Sequence, residues 1–164
     1  MEQNKTQHVL GVLRIVMGFV FLWAFIDKVF GLGFATTADK AWLLGTSPTA
    51  GFLQFGVHGP FAVFFQSLAG SPLVDWLFML GLLFVGLFLM LGIFMRLSGF
   101  AGIVMLLLMY LAVGLSPANN PFIDEHIVYI LAIMILVMED SGKYFGLGRW
   151  WTDTLFVQRY RIFR

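Results

Sequence analysis

Apolar residues along this chain gather into four long runs: Val9 to Ile26, interrupted by Arg14; Trp76 to Met95; Leu97 to Leu115; and Ile127 to Met138. A helix rises ~1.5 Å per residue, so ~20 residues cross a ~30 Å hydrocarbon layer. The first three runs reach that length. The fourth, at ~18 Å, reaches across only if its polar flanks sit at membrane depth. That predicts a helix from about Phe122 to Asp140, with Pro121 just before its start and Gly142 just beyond its end. The expected spans are therefore about 9–30, 73–95, 97–115 and 122–140. The second and third are joined only by Arg96, which predicts a tight antiparallel hairpin with Leu97-Ser98-Gly99 absorbing part of the turn. Gly81 and Gly92 are expected on one face of the second span, and Gly99 and Gly102 on one face of the third, where small residues let helices approach closely.

The segment 31–72 joins two spans without being a polar loop. Thr46-Ser47-Pro48-Thr49 and Gly59-Pro60 break it, and its apolar pieces, such as Phe61 to Leu68, are too short to cross. Irregular backbone at membrane depth survives only where protein or a water-filled cavity covers it. Short re-entrant or interfacial helices capping the bundle are expected here, with Thr46 or Ser47 capping a helix that has Pro48 at its first position. The fold class is an all-α integral membrane protein: one domain, a four-transmembrane-helix bundle, and a tail over 141–164.

Composition agrees with lipid as the solvent. The chain is 60% hydrophobic and 12% charged, with a mean hydropathy of +0.89. A soluble domain averages nearer ~45–50% apolar and ~25% charged. A net charge of +1, with no basic cluster tracking interleaved aromatics, gives no sign of nucleic-acid binding. There are no cysteines, hence no disulfide and no thiolate chemistry. His8, His58 and His126 lie far apart without metal-ligand spacing, and no metal is expected. The run from Val9 is long enough to span and is not followed by a small-residue cleavage site, so it is expected to be retained.

Charge sets the expected orientation. With four spans, Lys5, Arg14, Arg96, Lys143, Arg149, Arg159, Arg161 and Arg164 share one side, against Lys28 and Lys40 on the other. The positive-inside bias places both termini in the cytoplasm and the protein in the plasma membrane. The tail alternates aromatic and basic residues from Trp150-Trp151 to Arg164 and reads as an interfacial anchor.

Charges within spans suggest function by default because they are costly there. Arg14 lies about a turn and a half into the first span, on the side where Glu139 and Asp140 end the fourth. A structural ion pair among these three is expected, the plainer alternative being Arg14 reaching to the interface. On the other side, Asp27 and Lys28 end the first span, and Asp124, Glu125 and His126 begin the fourth. An Asp27–His126 contact would orient the imidazole for proton transfer, with Tyr129 on the same helix face. Trp23, one turn below Asp27, would add a flat wall. Such a site suits a quinone headgroup, with Asp27, His126 and Tyr129 as catalytic residues and Trp23, Lys28 and Glu125 as quinone-binding ones. The alternative is a set of solvated charges at an interface.

Four segments carry a resemblance. Arg14 and Gly18 followed by Phe21-Leu22-Trp23-Ala24-Phe25-Ile26-Asp27-Lys28-Val29-Phe30-Gly31 resemble the opening of DoxX-type membrane proteins. The runs Gly45 to Leu53, Gly59 to Ala62 and Asn120 to His126 resemble its DoxD-like branch, and the similarity covers roughly residues 9 to 151. It implies a four-helix membrane protein and, in that branch, the membrane subunit of a thiosulfate:quinone oxidoreductase. Lys28, Lys40 and the helix start at Thr46 to Thr49 then become candidate anion contacts. Other relatives are partners of soluble redox proteins. The expected function is thus a quinone-linked oxidoreductase subunit with thiosulfate as donor, working with a second subunit or a soluble redox protein, or as a homo-oligomer. The alternative is a non-enzymatic scaffold recruiting a soluble redox partner. A solute or proton pathway fits less well, because the second and third runs carry no charge along their interiors.

Overall fold

The computed structural model describes residues 2–114 and 121–163; Leu115, Asn120 and Arg164 of the sequence expectations lie outside them. Its main elements are α1 (Glu2–Phe30), α2 (Ala62–Ser67), α3 (Pro72–Leu91), α4 (Met95–Ala112), α5 (Glu125–Met138), α6 (Gly148–Thr152) and α7 (Leu155–Arg159). Helices α1, α3 and α4 are long and apolar enough to cross a bilayer, and α5 is a shorter apolar helix beside them. Together they form an all-α membrane bundle. Met17, Phe21, Met79, Leu82, Val85, Leu89, Leu106, Ile133 and Leu136 fill its centre. Equally apolar side chains face outward, among them Val12, Phe19, Leu77, Leu80, Leu107 and Leu131. An interior and an exterior both apolar are what a hydrocarbon solvent demands.

Close backbone approaches fix the register. A Cβ on Gly86 would lie 2.4 Å from the Leu22 amide nitrogen, and one on Gly18 would lie 2.7 Å from that of Met90. Helices α1 and α3 therefore cross in near backbone contact and run antiparallel. Gly81 abuts Met105, Gly102 abuts Val85 and Ile133, and Gly99 abuts Val137. These pairs make α3–α4 and α4–α5 antiparallel as well. The end of α1, the start of α3, the end of α4 and the start of α5 consequently share one end of the bundle, the capped end. The N-terminus, the α3–α4 turn and the tail share the other, the terminal end.

Boundaries follow local chemistry that hydropathy does not register. Helix α1 starts at Glu2 rather than near Val9, because solvated first turns carry no apolar signature. Helix α3 stops at Leu91, not Met95. Gly92 takes φ 74°, and the Gly92 and Ile93 amides bond back to the carbonyls of Leu89 and Phe88, each at 3.2 Å. That is a glycine-terminated helix end, hidden in an unbroken apolar run. The hairpin turn is thus Gly92–Phe94, Arg96 belongs to the first turn of α4, and Gly92 is a terminator rather than a partner of Gly81 on a helix face. Helix α5 begins at Glu125, not Phe122, because Asp124 caps it, accepting from the amides of His126 at 3.0 Å and Ile127 at 3.3 Å.

The segment 31–72 forms the expected short helical pieces: 3-10 turns at Ala38–Lys40 and Trp42–Leu44, a π-helical turn at Phe52–Gly56, and α2. The Ser47 hydroxyl accepts from the Ala50 amide at 3.0 Å with Pro48 following it, so the cap foreseen there exists. The segment docks on the end of α4 through His58 N–H to the Ala112 carbonyl, 2.9 Å, and through Leu53, Val57 and Phe65 packed with Ala112. The tail folds over the α3–α4 turn, with the Phe94 and Trp151 rings 4.5 Å apart and the Trp151 indole N–H donating to the Phe163 carbonyl at 2.7 Å.

Gly86→Ala puts a methyl into the Leu22 backbone and should destabilise the bundle by about 1–3 kcal/mol, the usual cost of overpacking. Gly51→Ala, whose Cβ would meet nothing within 4 Å, should be neutral. Thermal unfolding in detergent separates the two, and equal midpoints would contradict the close crossing.

Candidate functional site

Among the described residues, Arg14 and Asp27, the two fully buried charges of the first span, are held by backbone groups. Arg14 is fully buried. Its guanidinium donates to the carbonyls of Leu89, of Met90 at 2.7 Å, and of Tyr144 at 3.0 Å. The first two belong to the last turn of α3, where carbonyls run out of i+4 amide partners, and that of Leu89 also accepts from the Gly92 amide at 3.2 Å. The expected pairing of Arg14 with Glu139 or Asp140 is therefore not formed. Glu139 is exposed, and Asp140 pairs instead with Lys143 at 2.9 Å. The physical reason is direct: the α3 terminus offers orphan carbonyls and a negative dipole end in a dry site, while the two acids lie nearer solvent.

The quinone site drawn from Asp27, His126, Tyr129, Trp23, Lys28 and Glu125 is likewise rearranged. Asp27, 1% exposed, accepts from the amides of Phe34 at 3.3 Å and Ala35 at 2.9 Å. It folds the chain back over the end of α1, a reversal completed by Gly31 at φ 65°. The acid that holds the His126 ring is Asp124, with Oδ2 2.7 Å from Nδ1, two residues away and already aimed there by capping α5. The expected Asp27–His126 contact is not formed. Tyr129 packs against the main core. Trp23 stacks on Phe19 and meets Phe34 edge-on, with centroids 5.7 and 5.1 Å away. Glu125 is exposed. Ligand atoms of Asp124, Glu125 and His126 lie within 4.8 Å of one another, near enough to share a cation. The Asp124 oxygens are, however, already engaged by two amides and the imidazole. Outside the spans, the Asp39 carboxyl sits below the ordinary carboxylate range, held there chiefly by the Thr37 side chain.

Lys28 stands apart. Beside it, the capped-end halves of α3 and α4 and the 45–69 cap surround a cavity of about 520 Å³. Phe52, Phe65, Leu68, Phe78, Met105 and Met109 supply much of its wall, and Lys28 is its one charged lining residue. Phe64, Leu77 and Leu108 also line it while being 60%, 64% and 48% exposed, so its mouth opens among lipid-facing side chains. Among the described residues no hydrogen bond or ion pair engages the Lys28 ammonium.

Asp75, a residue the sequence reading passed over, braces this wall. It is 7% exposed and accepts from the hydroxyls of Ser47 at 2.8 Å and Thr49 at 2.5 Å. The Thr46–Thr49 segment foreseen as an anion contact thus binds an anion belonging to the chain itself, which leaves its hydroxyls committed. The available signal was an acid in the first turn of an apolar span, opposite the Ser-Pro-Thr break. Set against known proteins, the chain matches no family model, no curated protein and no solved structure.

Arg14→Leu removes the side-chain donor from the carbonyls of Met90 and Tyr144 and leaves Leu89 with the Gly92 amide alone, which should cost about 3 kcal/mol, given ~1–3 kcal/mol for each unsatisfied buried group. Adding Glu139→Leu should restore nothing, whereas an ion pair would predict partial rescue in detergent melting. Asp75→Leu should cost about 2 kcal/mol by leaving two hydroxyls unpaired, and Asp75→Asn, which keeps an acceptor, markedly less.

Proposed function

We propose that the chain is the membrane subunit of a quinone-linked oxidoreductase and that the cavity beside Lys28 receives the quinone headgroup. The observation that carries this reading is a cavity of about 520 Å³ with an apolar wall and one cation. It falls within the roughly 300–1,000 Å³ of small-molecule sites, which pair hydrophobic lining with a few polar groups. The lateral mouth suits a ligand that partitions into lipid. Lys28 is placed to hydrogen-bond a carbonyl oxygen and to deliver a proton to it, with Asp27 as the neighbouring counter-charge. A bound quinone would supply the electron-accepting chemistry. The electrons would come from a second subunit or a soluble redox protein, consistent with the DoxX-like motifs and with a chain that has no cysteine. Thiosulfate as the donor rests on the resemblance to the DoxD-like branch alone.

The basic residues gathered at the terminal end support termini in the cytoplasm and a place in the plasma membrane. A second reading, a scaffold for a soluble redox partner, is favoured by the tail, where Trp150, Leu155 and Ile162 are exposed beside basic side chains.

A photoreactive quinone analogue should label cavity residues in the purified protein. Lys28→Leu and Leu68→Trp should each weaken its binding about tenfold or more, as expected for losing a charged hydrogen bond or filling the site, with unchanged elution on size exclusion. Labelling scattered over the lipid-facing surface, or indifferent to both changes, would reject the quinone site and leave the scaffold. Orientation has its own measurement: in this cysteine-free chain, Gln158→Cys should react from the cytoplasm and Ala38→Cys from outside.

A further inference from the structure

At the terminal end, far from the cavity beside Lys28, the start of α1 and the 143–149 segment border an open hollow of about 460 Å³. Its lining includes Gln7, His8, Lys143, Tyr144, Phe145 and Arg149. The apolar run of α1 begins at Val9, so His8 stands at its polar edge, where hydrocarbon gives way to headgroups. The His8 ring stands edge-on to Phe145, centroids 5.1 Å apart. Lys143 is shared with Asp140 at 2.9 Å. The Arg149 side chain is exposed and, among the described residues, is held by no hydrogen bond or ion pair. Around this basic hollow Phe145, Leu147 and Trp150 are exposed at 58%, 47% and 62%.

We propose that this cavity binds the phosphate-bearing headgroup of an anionic phospholipid. Arg and Lys are the side chains that grip phosphate oxygens, Arg with a planar two-donor fork. Basic pockets beside membrane helices select anionic headgroups for the same reason. A free phosphate ion would satisfy the same donors, but it gives no account of the exposed Phe145, Leu147 and Trp150. Those side chains suit the glycerol and upper acyl region of a lipid, where aromatic rings concentrate at membrane interfaces. Docked there, the headgroup would tie the 143–149 segment to α1 over the Arg14 carbonyl cluster.

The test is native mass spectrometry of the full chain released from nanodiscs containing phosphatidylglycerol and phosphatidylcholine. The wild type should retain phosphatidylglycerol preferentially. Arg149→Gln, which breaks no ion pair of the described residues, should lower that preference about fivefold, and Arg149→Gln with Lys143→Gln roughly 30-fold, from the contribution of each basic group near an anionic surface. Arg96→Gln with Arg159→Gln removes two exposed basic groups from the same end and should leave the preference intact. Equal retention of the two lipids by the wild type would overturn the proposal. So would equal loss in the Arg96 and Arg159 control, which would mean diffuse charge, or displacement of the lipid by inorganic phosphate, which would mean an ion site.

Discussion

The structure depends on one buried cation. Arg14 projects from α1 to the place where α3 ends, and its guanidinium takes the carbonyls of Leu89, Met90 and Tyr144. A helix that stops at membrane depth leaves carbonyls that neither water nor its own amides can satisfy. Arg14 resolves that for α3, and the same contact fastens the segment after α5 to the end of the bundle. Leu147 N–H adds a bond to the Leu91 carbonyl at 2.8 Å. Gly142 and Gly148 fit where any side chain would strike backbone, with hypothetical Cβ atoms 2.3 Å from the Gly92 oxygen and 2.4 Å from the Gly142 carbonyl. Desolvating a guanidinium costs several kcal/mol; here the charge is balanced by helix-end dipoles rather than by an acid.

The acids of the capped end follow the same logic. Asp27 holds the amides of Phe34 and Ala35, Asp75 holds the hydroxyls of Ser47 and Thr49, and Asp124 caps α5 while holding His126. Each bridges a helix to irregular chain or to its own first turn, and together they keep a non-regular cap ordered over an apolar bundle. These carboxylates are occupied by structural donors. Lys28, in contrast, lines an apolar cavity and, among the described residues, is engaged by no hydrogen bond or ion pair.

That space exists because the cap covers only part of the bundle. Its π-helical turn and α2 sit against the end of α4 around Ala112, while the capped-end halves of α3 and α4 present apolar faces toward it. The gap is bounded by flexible Met and rigid Phe side chains, a combination able to adjust around a lipophilic ring.

The linear order of residues was enough to determine the solvent, the helices and their sequence along the chain. Apolar runs of bilayer length, the scarcity of charge and the Ser-Pro and Gly-Pro breaks are local properties, and they predicted a capped four-helix bundle. Only the tertiary structure decided which groups meet. Arg14 was legible as a buried charge, but its partners are backbone carbonyls, which every residue carries and no composition distinguishes. Asp27 and His126 do end and begin helices on the same side, yet shorter-range partners reach each first: the 34–35 amides donate to Asp27, and Asp124, capping the helix that bears His126, accepts from its ring. Asp75 was missed because its meaning comes from Ser47 and Thr49, far away in sequence. The cavity, being a space between elements, has no sequence signature at all; it is set by how closely Gly18 and Gly86 draw α1 to α3 and by where the cap comes to rest.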